Sequence, residues 1–267
     1  MTRDEWLGAL GLGADEVPTR VVLEGSWWQR ERNAQRLALL DDVRELAFPE
    51  LHLGRHGDEV VLYSCAYGAP RAVEPVHVFG QIGTRLVVQI GSCGALQAGV
   101  ATGDIVLPET ATIGEGASQY YGGVGASTAT SSLVDAAEDA FVRRGFRVHR
   151  GLHVTTSALL AQPPELVRAW HDAGHLAVDM ETSAVFSAAA WFGMQAVSLL
   201  FVWDELLAGR SWLDPFPVEE KAAQERANAA LMEVALELPA GRRDAAPTGA
   251  PAQLASAPPR DGNEGCR

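Results

Sequence analysis

Three short stretches of this chain put reactive residue types where a fold can use them. Gly91-Ser92-Cys93-Gly94 follows directly on the apolar run Leu86-Val87-Val88-Gln89-Ile90. Its glycines permit a sharp backbone turn, and its N–H groups with the Ser92 hydroxyl can hold an anion. A tight strand-to-loop turn explains the same residues, because the pattern is neither GxGxxG nor a P-loop. Val178-Asp179-Met180-Glu181 introduces a carboxylate at the edge of a segment, 182–203, that carries no charged side chain. Such a carboxylate is costly to bury unless it is paired or hydrogen-bonded. A sugar diol suits it, since two hydroxyl donors meet two oxygens, and so does the N-terminus of a helix. Asp204 stands at the end of the same segment. There an apolar setting would raise its pKa and make it a general acid, while capping a following element is the structural alternative.

Stepping outward, each stretch sits at the end of a strand-like run. Strands are expected over 20–23, 60–63, 86–90, 104–107, 148–155 and 196–203. Helical spacing marks 28–46, 72–82, 133–144, 165–173 and 218–236. Strands alternating with helices argue for an α/β layer fold with a mostly parallel sheet, in which ligands bind beyond the carboxyl ends of the strands. The uncharged segment 182–203 is long enough to be considered as a membrane span. Ser183, Ser187, Gln195 and Ser198 are spread through it, Gly193 interrupts it, and no basic cluster flanks it. A small-residue helix followed by a fully buried strand is the better reading. Residues 239–267, rich in Ala, Pro and Gly with Leu254 as the only large aliphatic, read as a disordered tail after a folded unit over 1–238.

The 267 residues include 34 acidic and 21 basic side chains, for a net charge of −13. That balance argues against nucleic acid or an anionic membrane as the main partner. An anionic substrate would have to be held locally by a few placed donors. The three cysteines form no CxxC pair, and the seven histidines show no metal-binding spacing, so neither a disulfide framework nor a metal site is expected. The amino-terminal residues lack the apolar run of a secretory signal, which points to a cytoplasmic protein. Trp27-Trp28 is explained by packing under a loop or, alternatively, by stacking on a ligand.

Taken together, Gln89 through Leu96, Gly103-Asp104-Ile105-Val106 and Val178-Asp179-Met180-Glu181 resemble the nucleoside phosphorylase and nucleosidase superfamily. Gly114-Glu115-Gly116-Ala117-Ser118 is similar to its uridine phosphorylase branch, and Val202-Trp203-Asp204 to the Val-Ser-Asp of its purine branch. The resemblance spans residues 21–236 and implies a single three-layer α/β/α domain with a mixed, mostly parallel central sheet. It also implies a homo-oligomer, dimer or hexamer, in which neighbouring subunits complete the site. By position, Gly25 and Ser92, with Cys93 and Gly94 beside it, would contact phosphate. Met180 would pack on the ribose, Glu181 would bind its hydroxyls, and Asp204 would protonate a purine at N7. Breaking an N-glycosidic bond leaves positive charge on the sugar and negative charge on the base, which such a pair of acids stabilises.

The departures from that pattern are informative. Gln89 stands where the phosphorylases usually carry arginine. A second phosphate arginine would fall near Gln29, with Arg30 one step off register; for a third, donated by a neighbouring subunit, Arg44 and Arg55 are the stand-ins. Residues 154–167 lack the aromatic stacker and the Gln/Arg pair that read uracil, and Leu159, Leu160 and Ala161 would make an apolar base pocket. The expected function is therefore cleavage of a purine-type nucleoside with inorganic phosphate as co-substrate and no other cofactor. Two alternatives stand beside it. One is a phosphate-independent nucleosidase, with Glu24 as its water-activating candidate. The other is a non-catalytic nucleoside-binding protein on the same scaffold.

Overall fold

The structure is a computed structural model, and it describes residues 1–208 and 215–240. Most of the tail expected over 239–267 and part of the loop after Asp204 therefore lie outside the described residues. In chain order the elements are α1 (Arg3–Leu10), β1 (Arg20–Gly25), α2 (Gln29–Leu37), β2 (Asp41–Glu45), β3 (His52–His56), β4 (Glu59–Cys65) and α3 (Ala69–Ile82). There follow β5 (Leu86–Ala95), β6 (Ile105–Gly114), a 3-10 turn (Ser118–Tyr121), β7 (Ala126–Thr128), α4 (Ser131–Arg143), β8 (Val148–Thr156) and α5 (Pro164–Asp172). The last described elements are β9 (Ala177–Asp179), α6 (Thr182–Trp191), β10 (Gln195–Glu205) and α7 (Val218–Glu237).

The strands richest in Val, Leu and Ile lie at the centre, where both faces are covered. β1 is buried along its whole length, and it pairs in parallel with β4 on one side and β5 on the other. β5 also pairs in parallel with β10 from Leu86 to Ala95. Helices α1, α3 and α6 cover one face of the sheet and α4 with α7 the other, giving the three layers. The segment 182–203 divides as its composition suggests, into α6 and β10, with Gly193 in the left-handed conformation (φ 65°) between them. No helix among the described residues is long and apolar enough to cross a membrane.

Two features depart from an open, mostly parallel sheet. First, the sheet mixes parallel and antiparallel pairings, at the site as elsewhere, and it partly closes on itself. β10 turns to pair antiparallel with β6, β6 and β8 are parallel, β8 and β9 are parallel, and β9 returns antiparallel to the end of β5. This ring brings the carboxyl ends of β5, β9 and β10 around one hollow. Second, the helix expected over 28–46 stops at Leu37. Residues 41–45 form an edge strand that is exposed on both faces, so no apolar alternation announces it. Asp42, with φ 50°, takes the left-handed conformation there, and the strand bulges between Asp41 and Arg44.

Candidate active site

The hollow is a cavity of about 150 Å³ beyond the ends of β1, β5, β9 and β10. Gly25, Ser92, Cys93, Gly94, Met180, Glu181 and Asp204 all line it, so residues 179 positions apart in the chain (25 to 204) share one pocket. Arg30 and Gln89 are not among its lining residues. Arg32, Tyr67, Trp203, Leu206 and Gln162 join it instead, with Trp27, Trp28 and Leu159.

Glu181 closes the floor. It precedes α6, is 4% exposed, and its Oε1 accepts a hydrogen bond from the Gly68 N–H at 2.6 Å. Burial, helped by the nearby Asp179 carboxylate, pushes its pKa up to about 8. Position 25 must be glycine for this carboxyl to fit, because a Cβ there would lie 2.5 Å from Glu181 Cδ and Oε2. Beside it, the Tyr67 hydroxyl donates to Met180 Sδ at 2.9 Å, and the Tyr67 ring lies 5.5 Å from that of Trp27. The result is an apolar wall with a carboxyl at its base, a surface suited to a sugar ring and its hydroxyls.

Asp179 is the anchor beneath. Its Oδ2 accepts from the Thr182 N–H at 2.9 Å, the Thr182 hydroxyl at 2.6 Å and Gln89 Nε2 at 2.9 Å. Its Oδ1 accepts from the Thr155 hydroxyl at 2.8 Å and lies 3.1 Å from His153 Nε2. Burial alone would push this carboxyl up; His153 and these donors outweigh it and hold the pKa down. Gln89 is thereby corrected from a pocket residue to a structural one. It is fully buried, and its Oε1 accepts from the Ser198 hydroxyl, so both ends of its amide are committed within the sheet.

Asp204 reaches the cavity through a β-bulge. Cys93 pairs with Val202 and Gly94 with Asp204, leaving Trp203 as the extra residue on β10. A bulge re-aims the side chains that follow it, and here both Trp203 and Asp204 face the pocket. Gly94 accommodates them: a Cβ there would lie 3.3 Å from Asp204 Oδ1 and 2.9 Å from Leu206 Cδ1. The Trp203 ring stacks on Trp28 at 5.2 Å and 22° between planes. The tryptophan pair noted in the sequence thus belongs to the pocket wall. Cys93 is fully buried, and burial with the Asp179 and Asp204 carboxylates raises its thiol pKa well above the usual range, so it is no nucleophile.

The loop after β1 differs most from expectation. Glu24 points away from the cavity into a buried cluster, where Arg36 donates to both its oxygens (Nε at 2.9 Å, Nη2 at 3.0 Å) and the Tyr63 hydroxyl donates at 2.9 Å. Arg30 is exposed on α2, because two residues beyond Trp28 is the opposite side of a helix. Arg32 and Arg36, four and eight beyond Trp28, share its face. Of the other arginines considered, Arg44 pairs with Glu16 at 2.7 Å on the exposed edge strand, and Arg55 is also exposed. Neither lines this chain's pocket. Among the described residues no group of three or more His, Cys, Asp or Glu side chains is placed to hold a metal.

Comparison with known proteins gives the family and the fold. A guanosine phosphorylase of Halorubrum lacusprofundi is 32% identical over 184 residues, which is 65% of this chain and 75% of that protein. A DeoD-type purine nucleoside phosphorylase of Bacillus cytotoxicus is 30% identical over 58% of this chain and 64% of its own length. For the corresponding protein of Caldanaerobacter subterraneus the figures are 33%, 48% and 56%. The chain thus spans less than two thirds of these two DeoD-type relatives. The crystal structure of a uridine phosphorylase from Vibrio fischeri superposes with a TM-score of 0.72, covering 84% of this chain and 92% of that one at 22% identity, a likeness of fold. The family model for the phosphorylase superfamily matches residues 32–238. The chain belongs to the phosphorylase superfamily.

Proposed function

We propose that this protein is a pentosyltransferase that cleaves the N-glycosidic bond of a purine-type nucleoside by phosphorolysis, releasing the base and ribose 1-phosphate. The observation that carries this reading is that Glu181 and Asp204 line one cavity, together with Ser92 and Gly25. Glu181 meets the ribose 2′- and 3′-hydroxyls, Met180 packs on the sugar, and Asp204 donates a proton to N7 as the base leaves. Glu181, once ionised, is placed to stabilise positive charge growing on the sugar, and Asp204 to stabilise negative charge on the base. Phosphate, held by Ser92 and the backbone of Gly25 and Gly94, attacks C1′. No other cofactor enters this scheme.

The purine preference rests on Asp204 and on the apolar lining from Leu159, Val178 and Leu206, with Gln162 as the one amide side chain among the described lining residues. Relatives named as guanosine and purine nucleoside phosphorylases support it. Hydrolysis is disfavoured because Glu24 is engaged by Arg36 and Tyr63 and does not line the cavity, leaving it unable to activate water there. We assign the catalytic unit to residues 1–238 and place the enzyme in cytoplasmic purine salvage as a homo-oligomer, with small molecules rather than nucleic acid or membrane as its partners. The test is base release from a nucleoside panel with and without phosphate. Phosphate-dependent release from inosine or guanosine, with uridine a poor substrate, is expected. Equal release without phosphate contradicts the reading.

A further inference from the structure

Phosphate is a dianion and is held best by charge-assisted donors. The two glutamines at the matched arginine positions provide none. Gln89 is committed to Asp179 and Ser198, and Gln29 Nε2 donates to the Cys65 carbonyl at 3.3 Å. Among the described residues lining the cavity, Arg32 is the only arginine or lysine. We propose that Arg32, on the second turn of α2, is the cation that holds phosphate in this enzyme, and that Glu24 is the residue that positions it. The assignment rests on the phosphorolytic reading above and names the residue that serves it here.

Charge and geometry both lead to Arg32. Glu24 is 1% exposed and is already neutralised by Arg36, whose remaining donor capacity goes to Asn228: Nη1 to its carbonyl at 2.9 Å and Nη2 to its side-chain oxygen at 2.7 Å. Arg32 is thus the second guanidinium beside the Glu24 carboxylate. Glu24 Oε1 lies 3.5 Å from Arg32 Nε, and Arg32 Nη1 donates to Gln35 at 3.2 Å. The side chain is only 14% exposed, and burial lowers its pKa, with the neighbouring Arg36 adding to that effect against the pull of Glu24. A partly desolvated guanidinium, held beside Glu24, fits an oxyanion delivered into the cavity it lines.

The experiment uses the full chain with inosine or guanosine and varies phosphate. Arg32→Gln is expected to raise the KM for phosphate about 10- to 100-fold, the worth of one or two charge-assisted contacts, with the nucleoside KM changed less than about threefold. Arg32→Lys, which keeps charge but loses the planar fork, falls between them. Arg30→Gln, on the exposed side of α2, behaves as wild type. Thermal melting gives a readout independent of turnover: millimolar phosphate raises the wild-type Tm, and Arg32→Gln abolishes that rise. A folded Arg32→Gln or Arg32→Lys enzyme with wild-type phosphate KM and Tm response overturns the assignment while leaving phosphorolysis intact. Wild-type base release that ignores phosphate, with no Tm response to it, overturns both.

Discussion

Alanine at position 25 adds a single methyl carbon, and the geometry fixes where it goes. Its Cβ would stand 2.5 Å from Cδ and Oε2 of Glu181 and 2.9 Å from Oε1. Ordinary contact needs about 3.5 Å, so the carboxyl or β1 must give by about 1 Å. The carboxyl is not free to do so, because it is buried and its Oε1 is tied to the Gly68 N–H at 2.6 Å. Leaving a buried hydrogen-bond partner unsatisfied costs about 1–3 kcal/mol, and overpacking a filled site costs about 1–3 kcal/mol. The ribose hydroxyls would be read by the same displaced oxygens, and misplacement by about 1 Å can lower a rate about 100-fold. Gly25→Ala is therefore expected to lower kcat/KM for the nucleoside by about two orders of magnitude and to cost about 1–3 kcal/mol in urea unfolding. Initial-rate kinetics beside a denaturation curve measure both. A variant with kcat/KM within a few-fold of wild type would refute the placement of the sugar over Glu181.

Asp204→Asn removes the proton donor to the base and should lower kcat about 10²- to 10⁴-fold with the Tm nearly unchanged; an active variant contradicts its role as general acid. Glu181 has a folded-state pKa of about 8 against an ordinary 4.5, so the protein incurs no penalty below 4.5 and loses stability as pH rises through this window to 8. The Tm of Glu181→Gln relative to wild type should consequently increase between pH 5 and pH 9, and a constant difference would refute the raised value. Gln89→Ala leaves Asp179 one donor short and Ser198 without its acceptor. A loss of about 2–4 kcal/mol in urea unfolding is expected, with both substrate KM values changed less than about threefold. A large rise in phosphate KM with unchanged stability would return Gln89 to the binding site.

The parts of the site that were legible in the sequence are those tied covalently to strand ends. Gly91-Ser92-Cys93-Gly94 follows an apolar run and continues it as strand to Ala95 instead of turning, and Glu181 and Asp204 bracket an uncharged helix and strand, so each had one place to go. The sheet closure was not legible, because β9 is three residues long and its pairing with β5 rests on Val178 and Ala177 alone. Counting along the chain from Gly25 points to Gln29, with Arg30 one step off register. A helical count from Trp28 selects Arg32 and Arg36 instead, and a buried Glu24 on the preceding strand was the signal that they share a partner. Gln89 was read through its matched position; in a strand buried on both faces, alternation does not say which side chains reach a ligand.

The most direct test of the account is the fate of the ribose. With guanosine or inosine and saturating phosphate, ribose 1-phosphate should form in a one-to-one ratio with released base, as phosphorolysis requires. Free ribose in place of ribose 1-phosphate would show that water is the nucleophile, and it would contradict both the mechanism and the anion-holding role of the cavity.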